Sequence, residues 1–170
     1  DHNLLLQLDA YQKVELESTY KKSPRHEITA TLKTPFTQPM NLQAYIKPEL
    51  SNFETGASAV YEGQTYGVAT KWDHNGYRNA FQSEADFQLT HPARSILTEA
   101  KISRRGSRFT TQFSTKWDAN RNPKKEFAFV GEFQASAVTP SFEAKTTWWP
   151  RNFVEVSGNW KDDRQGLWAV

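Results

Sequence analysis

Residues 107–138 read SRFTTQFSTKWDANRNPKKEFAFVGEFQASAV, and their alternation decides the fold class. In the first arm Phe109, Thr111, Phe113, Thr115 and Trp117 alternate with Arg108, Thr110, Gln112, Ser114 and Lys116. A period of two places one set on each face of an extended strand. Asp118 to Lys125 then supplies Asn, Pro and charge, the composition of a turn. The alternation resumes with Phe127, Phe129, Gly131, Phe133, Ala135 and Ala137. Two strands, each apolar on one side and polar on the other, predict an antiparallel hairpin.

Outward from this hairpin the same unit repeats, and about twelve strands are expected. On the N-terminal side, strands near 3–9 and 12–22 lead to one carrying Ile28, Ala30, Leu32 and Phe36. Leu42, Ala44 and Ile46 mark the next, then Phe53 to Tyr61, which a Glu62-Gly63-Gln64 turn closes. Tyr66, Val68, Thr70 and Trp72 define a sixth strand, with Asp73-His74-Asn75-Gly76 as its turn because Asn-Gly is a strong hairpin signal. Phe81, Ala85, Phe87 and Leu89 follow, then Ile96, Thr98, Ala100 and Ile102 up to the Arg104-Arg105-Gly106 turn. Beyond the central hairpin lie Phe142, Ala144, Thr146 and Trp148, then Val154, Val156 and Trp160. Val60, Leu97, Val130 and Trp149 break the pattern on the polar side. Trp72, Trp117 and Trp160 recur at expected strand ends, 45 and then 43 residues apart. Similar turn chemistry and internal duplication both account for that spacing.

The expected fold is therefore all-β, an antiparallel meander of long amphipathic strands forming one region over residues 1–170. The chain opens inside an apparent strand at Asn3–Leu8, which reads as a piece of a longer polypeptide. Composition agrees with thinly spread apolar content: 37% of residues are apolar and mean hydropathy is −0.75, yet 11 Phe and 6 Trp are present. A net charge of +2 gives no ground for a nucleic-acid partner. There is no Cys, so disulfide staples are excluded.

Twelve strands of about ten residues present roughly 1,900 Å² on one apolar face, at ~33 Å by ~4.8 Å each. A soluble monomer rarely leaves more than a few hundred Å² of contiguous apolar surface in water. Three solutions exist: a sheet closed on itself as a sandwich binding module, an outer-membrane barrel acting as a channel, or an open sheet lying on lipid. The mixture of Phe and Trp with many Ala, Thr and Gly favours the third, since a self-closed core calls for dense aliphatic packing.

The long amphipathic strands, the Thr34-Pro35-Phe36 step and the quoted hairpin resemble the β-sheet regions of large lipid transfer proteins. That family comprises apolipophorins, vitellogenins and apolipoprotein B. The resemblance covers essentially the whole chain and is one of texture, with no diagnostic short motif. It implies a secreted lipid carrier, not an enzyme, with bound phospholipid and neutral lipid. The remainder of its own longer chain and a lipoprotein receptor would be further partners.

The expected lipid-facing residues are Phe53, Tyr66, Val68, Trp72, Phe81, Phe87, Leu89, Ile96, Ile102, Phe109, Phe113, Trp117, Phe127, Phe129, Phe133, Phe142, Trp148, Val154, Val156 and Trp160. Basic turns place Arg104, Arg105, Arg108, Arg121, Lys124 and Lys125 as expected contacts for headgroups or an acidic partner. No nucleophile motif or phosphate-cradling loop occurs. His2, His26, His74 and His91 are scattered, which gives no metal-ligand spacing.

Overall fold

The computed structural model describes residues 2–7, 13–136 and 139–159. It consists of twelve strands: β1 (His2–Gln7), β2 (Lys13–Lys21), β3 (His26–Lys33), β4 (Met40–Pro48), β5 (Asn52–Tyr61), β6 (Gln64–Tyr77), β7 (Ala80–Thr90), β8 (Ile96–Arg105), β9 (Arg108–Lys116), β10 (Glu126–Gln134), β11 (Ser141–Trp148) and β12 (Asn152–Asn159). They lie in one sheet in sequence order, every neighbouring pair antiparallel. The sheet is not closed, and among the described residues each strand contacts only its sequence neighbours. No second layer covers either face, and no apolar side chain is fully buried among the described residues.

The hairpin at 108–134 has the register that its alternation requires. Phe113 pairs with Phe129 and Phe109 with Phe133, while Gln112 pairs with Val130 on the other face. Two tight turns have the chemistry read from the sequence. Glu62 and Gly63 both take positive φ (50° and 70°) between paired Tyr61 and Gln64, the geometry of a type I′ hairpin. Gly106 (φ 61°) opens the two-residue turn between paired Arg105 and Arg108.

Four local expectations are corrected. Asp73–Gly76 is not a turn: β6 runs on to Tyr77 and reverses at Arg78-Asn79, with Tyr77 opposite Ala80. Cross-strand partners override the local Asn-Gly signal there. His74 Nδ1 is hydrogen-bonded to Ser83 Oγ on β7 at 2.7 Å, and Asp73 accepts from Asn52 on β5, besides pairing with Lys71 of its own strand at 2.5 Å. Trp72 is consequently interior to β6, not at a strand end. Phe36 leaves its strand, because β3 stops at Lys33 and the Pro35–Pro39 segment cannot continue a ladder. Trp117 lies one residue beyond β9, although its N–H still donates to Lys125 O at 3.3 Å. The readings at 8–12, 137–138 and 160–170, Trp160 included, fall outside the described residues.

The strands are also staggered. A transverse row starts at His26, the first residue of β3, and passes through Ile46, Thr55, Thr70, Phe87, Thr98, Thr115 and Phe127. It ends at Trp148, the last residue of β11. The row thus enters at one rim and leaves at the other, a lean of roughly 30° for standard strand rise and spacing. Strands lean similarly in barrels.

Candidate lipid-facing sheet

The register assigns every paired residue to a face. One transverse row holds Tyr20, Ile28, Ala44, Ala57, Val68, Leu89 and Ile96. The next holds the His26-to-Trp148 series. A third holds Pro48, Phe53, Trp72, Ala85, Ala100, Phe113, Phe129, Thr146 and Val154. Ile102 joins Ser83 and Thr111, Ala144 joins Gly131 and Val156, and Phe81, Phe109, Phe133 and Phe142 complete the same face. Tyr66 joins it opposite Ala59. All the expected lipid-facing residues within the described strands therefore share one surface. Of the two remaining, Trp117 is in the turn after β9 and Trp160 is outside the described residues.

This face is wet in the isolated chain. Val68, Trp72, Phe87, Leu89, Ile102, Phe133, Phe142, Trp148, Val154 and Val156 are all exposed. Its aromatic sector is on β9–β11, where Phe109 and Phe133 have ring centroids 6.3 Å apart and Phe113 and Phe127 are also 6.3 Å apart. The Phe142 ring lies over Gly158, where a Cβ would meet it. At the other end small residues lower the surface. Ala44, Thr55, Gly56 and Ala57 floor an open depression of about 360 Å³, walled by Tyr20, Ile28, Ile46 and Val68. The sequence list omitted this end, although Leu4, Leu16, Ile28, Leu32, Leu42 and Ile46 alternate as regularly and lie on the same face.

The opposite face is polar and charge-compensated. Lys33 reaches Glu15 at 3.2 Å and Glu17 at 2.7 Å, Lys101 reaches Glu84 at 2.5 Å, and Lys145 reaches Glu155 at 3.3 Å. Such exposed pairs contribute little stability each. Their consequence is sidedness: a flipped register would place all of these charges on the apolar face. The hydrogen bond from Lys101 holds the Glu84 carboxyl below its usual range. Asp86, directly opposite Glu99, is pushed up, first by burial and then by that like charge.

The six expected basic contacts separate. Arg104 is on the apolar face between Phe81 and Phe109; its guanidinium stacks 4.7 Å from the Phe109 ring and its Nε donates to Gly106 O. Arg105 and Arg108 are on the polar face, and Arg108 is held by Glu132 at 2.5 Å. Arg121, Lys124 and Lys125 are at the opposite rim, in the loop 117–125. There Lys125 Nζ donates to Asp118 Oδ2 at 2.8 Å. That bond holds the Asp118 carboxyl below its usual range, with Arg94 and Arg121 adding to the effect and burial opposing it. Asp118 and Ser83 are the only buried polar side chains among the described residues. Arg94 belongs to this cluster but was missed, since only the pairing of the strands brings 91–95 beside 117–125.

Among the described residues no group of His, Asp and Glu could hold a metal ion. No helix of the described residues is long and apolar enough to cross a membrane. No protein-family model, curated protein or solved structure matches the chain.

Proposed function

We propose that the chain is a lipid-binding sheet, whose apolar face holds phospholipid and neutral lipid as one wall or belt of a secreted lipid carrier. One observation carries the reading: twelve strands present a continuous apolar face that none of the described residues covers, and not one apolar side chain among them is fully buried. Leaving such a face in water is unfavourable by roughly 25 cal/mol per Å², so an apolar partner is required. The resemblance in texture to large lipid transfer proteins points to lipid as that partner. The remainder of a longer chain would then meet the sheet at its edges, and a lipoprotein receptor is a further partner of the assembled particle.

The lean of the strands favours one other reading, the wall of an outer-membrane barrel, whose strands lean by 35–45°. Against it, β1 and β12 do not pair and the described sheet stays open. Lipid extraction and mass spectrometry on protein purified from its native source without detergent test the proposal. Neutral lipid and phospholipid in amounts above one molecule per chain are expected. A lipid-free, monodisperse monomer with cooperative unfolding would overturn it in favour of a self-contained module.

A further inference from the structure

Three loops meet at one corner of the sheet. The loop 117–125 is bonded to the loop 91–95 through Ala119 N to Ser95 O at 2.9 Å and Ser95 N to Asn120 Oδ1 at 3.1 Å. The turn 149–151 joins them through Trp149 N to Glu126 O at 2.9 Å, with Lys125 Nζ 5.9 Å from the Trp149 ring. These segments contain Arg94, Arg121, Lys124, Lys125 and Arg151 against a single carboxylate, Asp118. The corner is thus at net +4 in a chain whose total is +2, and the rest of the chain is net negative. Asp118 is already engaged by Lys125, while Arg94, Arg121 and Lys124 are exposed.

Three of the six Trp gather here as well. Trp148 ends β11 on the apolar face, Trp149 follows it and is exposed, and Trp117 opens the long loop. Indole rings with adjacent cations suit the boundary between hydrocarbon and phosphate. The opposite rim also has exposed Lys21, Lys22, Arg78 and Arg105, but there Arg108 is neutralised by Glu132, Arg104 is stacked on Phe109, and its described residues include no Trp.

We propose that this corner is where the sheet meets the phosphate headgroups of an anionic phospholipid surface, so that the molecule approaches lipid in one orientation. The proposal rests on the lipid reading of the apolar face, but its chemistry is separable. The corner contributes salt-sensitive attraction, whereas the face contributes salt-insensitive burial. Contiguity with the apolar face through Trp148 favours a membrane over a nucleic acid or an acidic protein.

The test is flotation of the full chain with phosphatidylcholine vesicles, with and without about 30% phosphatidylserine, at low and physiological salt. The variant R94Q/R121Q/K124Q removes three exposed charges. At low salt it is expected to bind the anionic vesicles roughly a hundredfold more weakly. It should match the parent on phosphatidylcholine alone. The variant K21Q/K22Q/R78Q, with the same charge loss at the opposite rim, should lose less than threefold on the anionic vesicles.

Equal losses for the two variants, or no loss for the first, would overturn the proposal. So would tighter binding of poly-glutamate or a single-stranded oligonucleotide than of the anionic vesicles. Quenching of Trp72 by lipid brominated in its acyl chains reads the face separately. An unquenched Trp72 together with a salt-dependent loss confined to the first variant would remove the apolar-face reading and leave the corner standing.

Discussion

Phe129→Lys places a charge at the centre of the apolar face, between Phe113 on β9 and Thr146 on β11. Its neighbours there are the Phe113 ring, the Thr146 side chain and the backbone of Gly131, over which the Phe129 ring leans. None carries a negative charge to pair with an ammonium group. On the lipid face of membrane barrels a mid-depth lysine costs about 2–4 kcal/mol. Carried over to this sheet, that is a loss of roughly thirtyfold to a thousandfold in lipid partition.

The matched control is Ser114→Lys, on the polar face directly opposite Glu99. There a new ammonium group gains a carboxylate neighbour, and the change is expected to stay within about 0.5 kcal/mol. Lipid loading is read by co-flotation with a triolein–phosphatidylcholine emulsion, and contact by quenching of Trp72 with brominated acyl chains. If Phe129→Lys and Ser114→Lys behave alike, the apolar face is not what holds lipid. If Phe129→Lys instead changes only an oligomeric state while quenching of Trp72 is absent, the face packs against protein.

Two further expectations concern titrating groups. The Asp118 carboxyl is depressed below its unfolded value, so its stabilisation of the loop 117–125 is full at neutral pH and is lost as pH falls through the depressed value. The protection factor of the Ala119 N–H, bonded to Ser95 O, should therefore fall on acidification, and Asp118→Asn should lower it already at pH 7. Asp86 has the opposite sign: its raised value disfavours the folded form once pH exceeds the ordinary carboxylate range, and the penalty vanishes in acid. Asp86→Asn is expected to raise the denaturation midpoint at pH 7 and to leave it unchanged near pH 3, with an unchanged midpoint at pH 7 counting against the account.

The fold was legible because a period of two needs no tertiary context. Each strand's own alternation assigns its faces, and in a meander the next strand inherits the register from a short turn. Phe109, Phe113, Phe127, Phe129 and Phe133 could be placed together for that reason. Local signals failed where long-range partners outweighed them. Asn75-Gly76 reads as a hairpin corner, yet His74 and Asp73 find partners on neighbouring strands, Ser83 and Asn52, and carry β6 past it. Arg104 reads as one member of a basic turn, but parity puts it on the apolar face while Arg105 points away. The bonds from the loop 91–95 to the loop 117–125 join segments about 25 residues apart, and no spacing in the sequence announces them.

Because among the described residues every strand contacts only the one before and the one after it, the sheet behaves as a one-dimensional array. No pairing requires a distant segment to be found first, so the loop-closure entropy that slows most all-β proteins is small here. Such a chain can add strands one at a time as it leaves the ribosome, each new hairpin completing the previous edge. The same locality makes length adjustable. Removing or inserting a whole hairpin preserves the parity of every remaining face and alters only two neighbours, so the area of the apolar face can change in evolution by units of one hairpin without redesign of the rest.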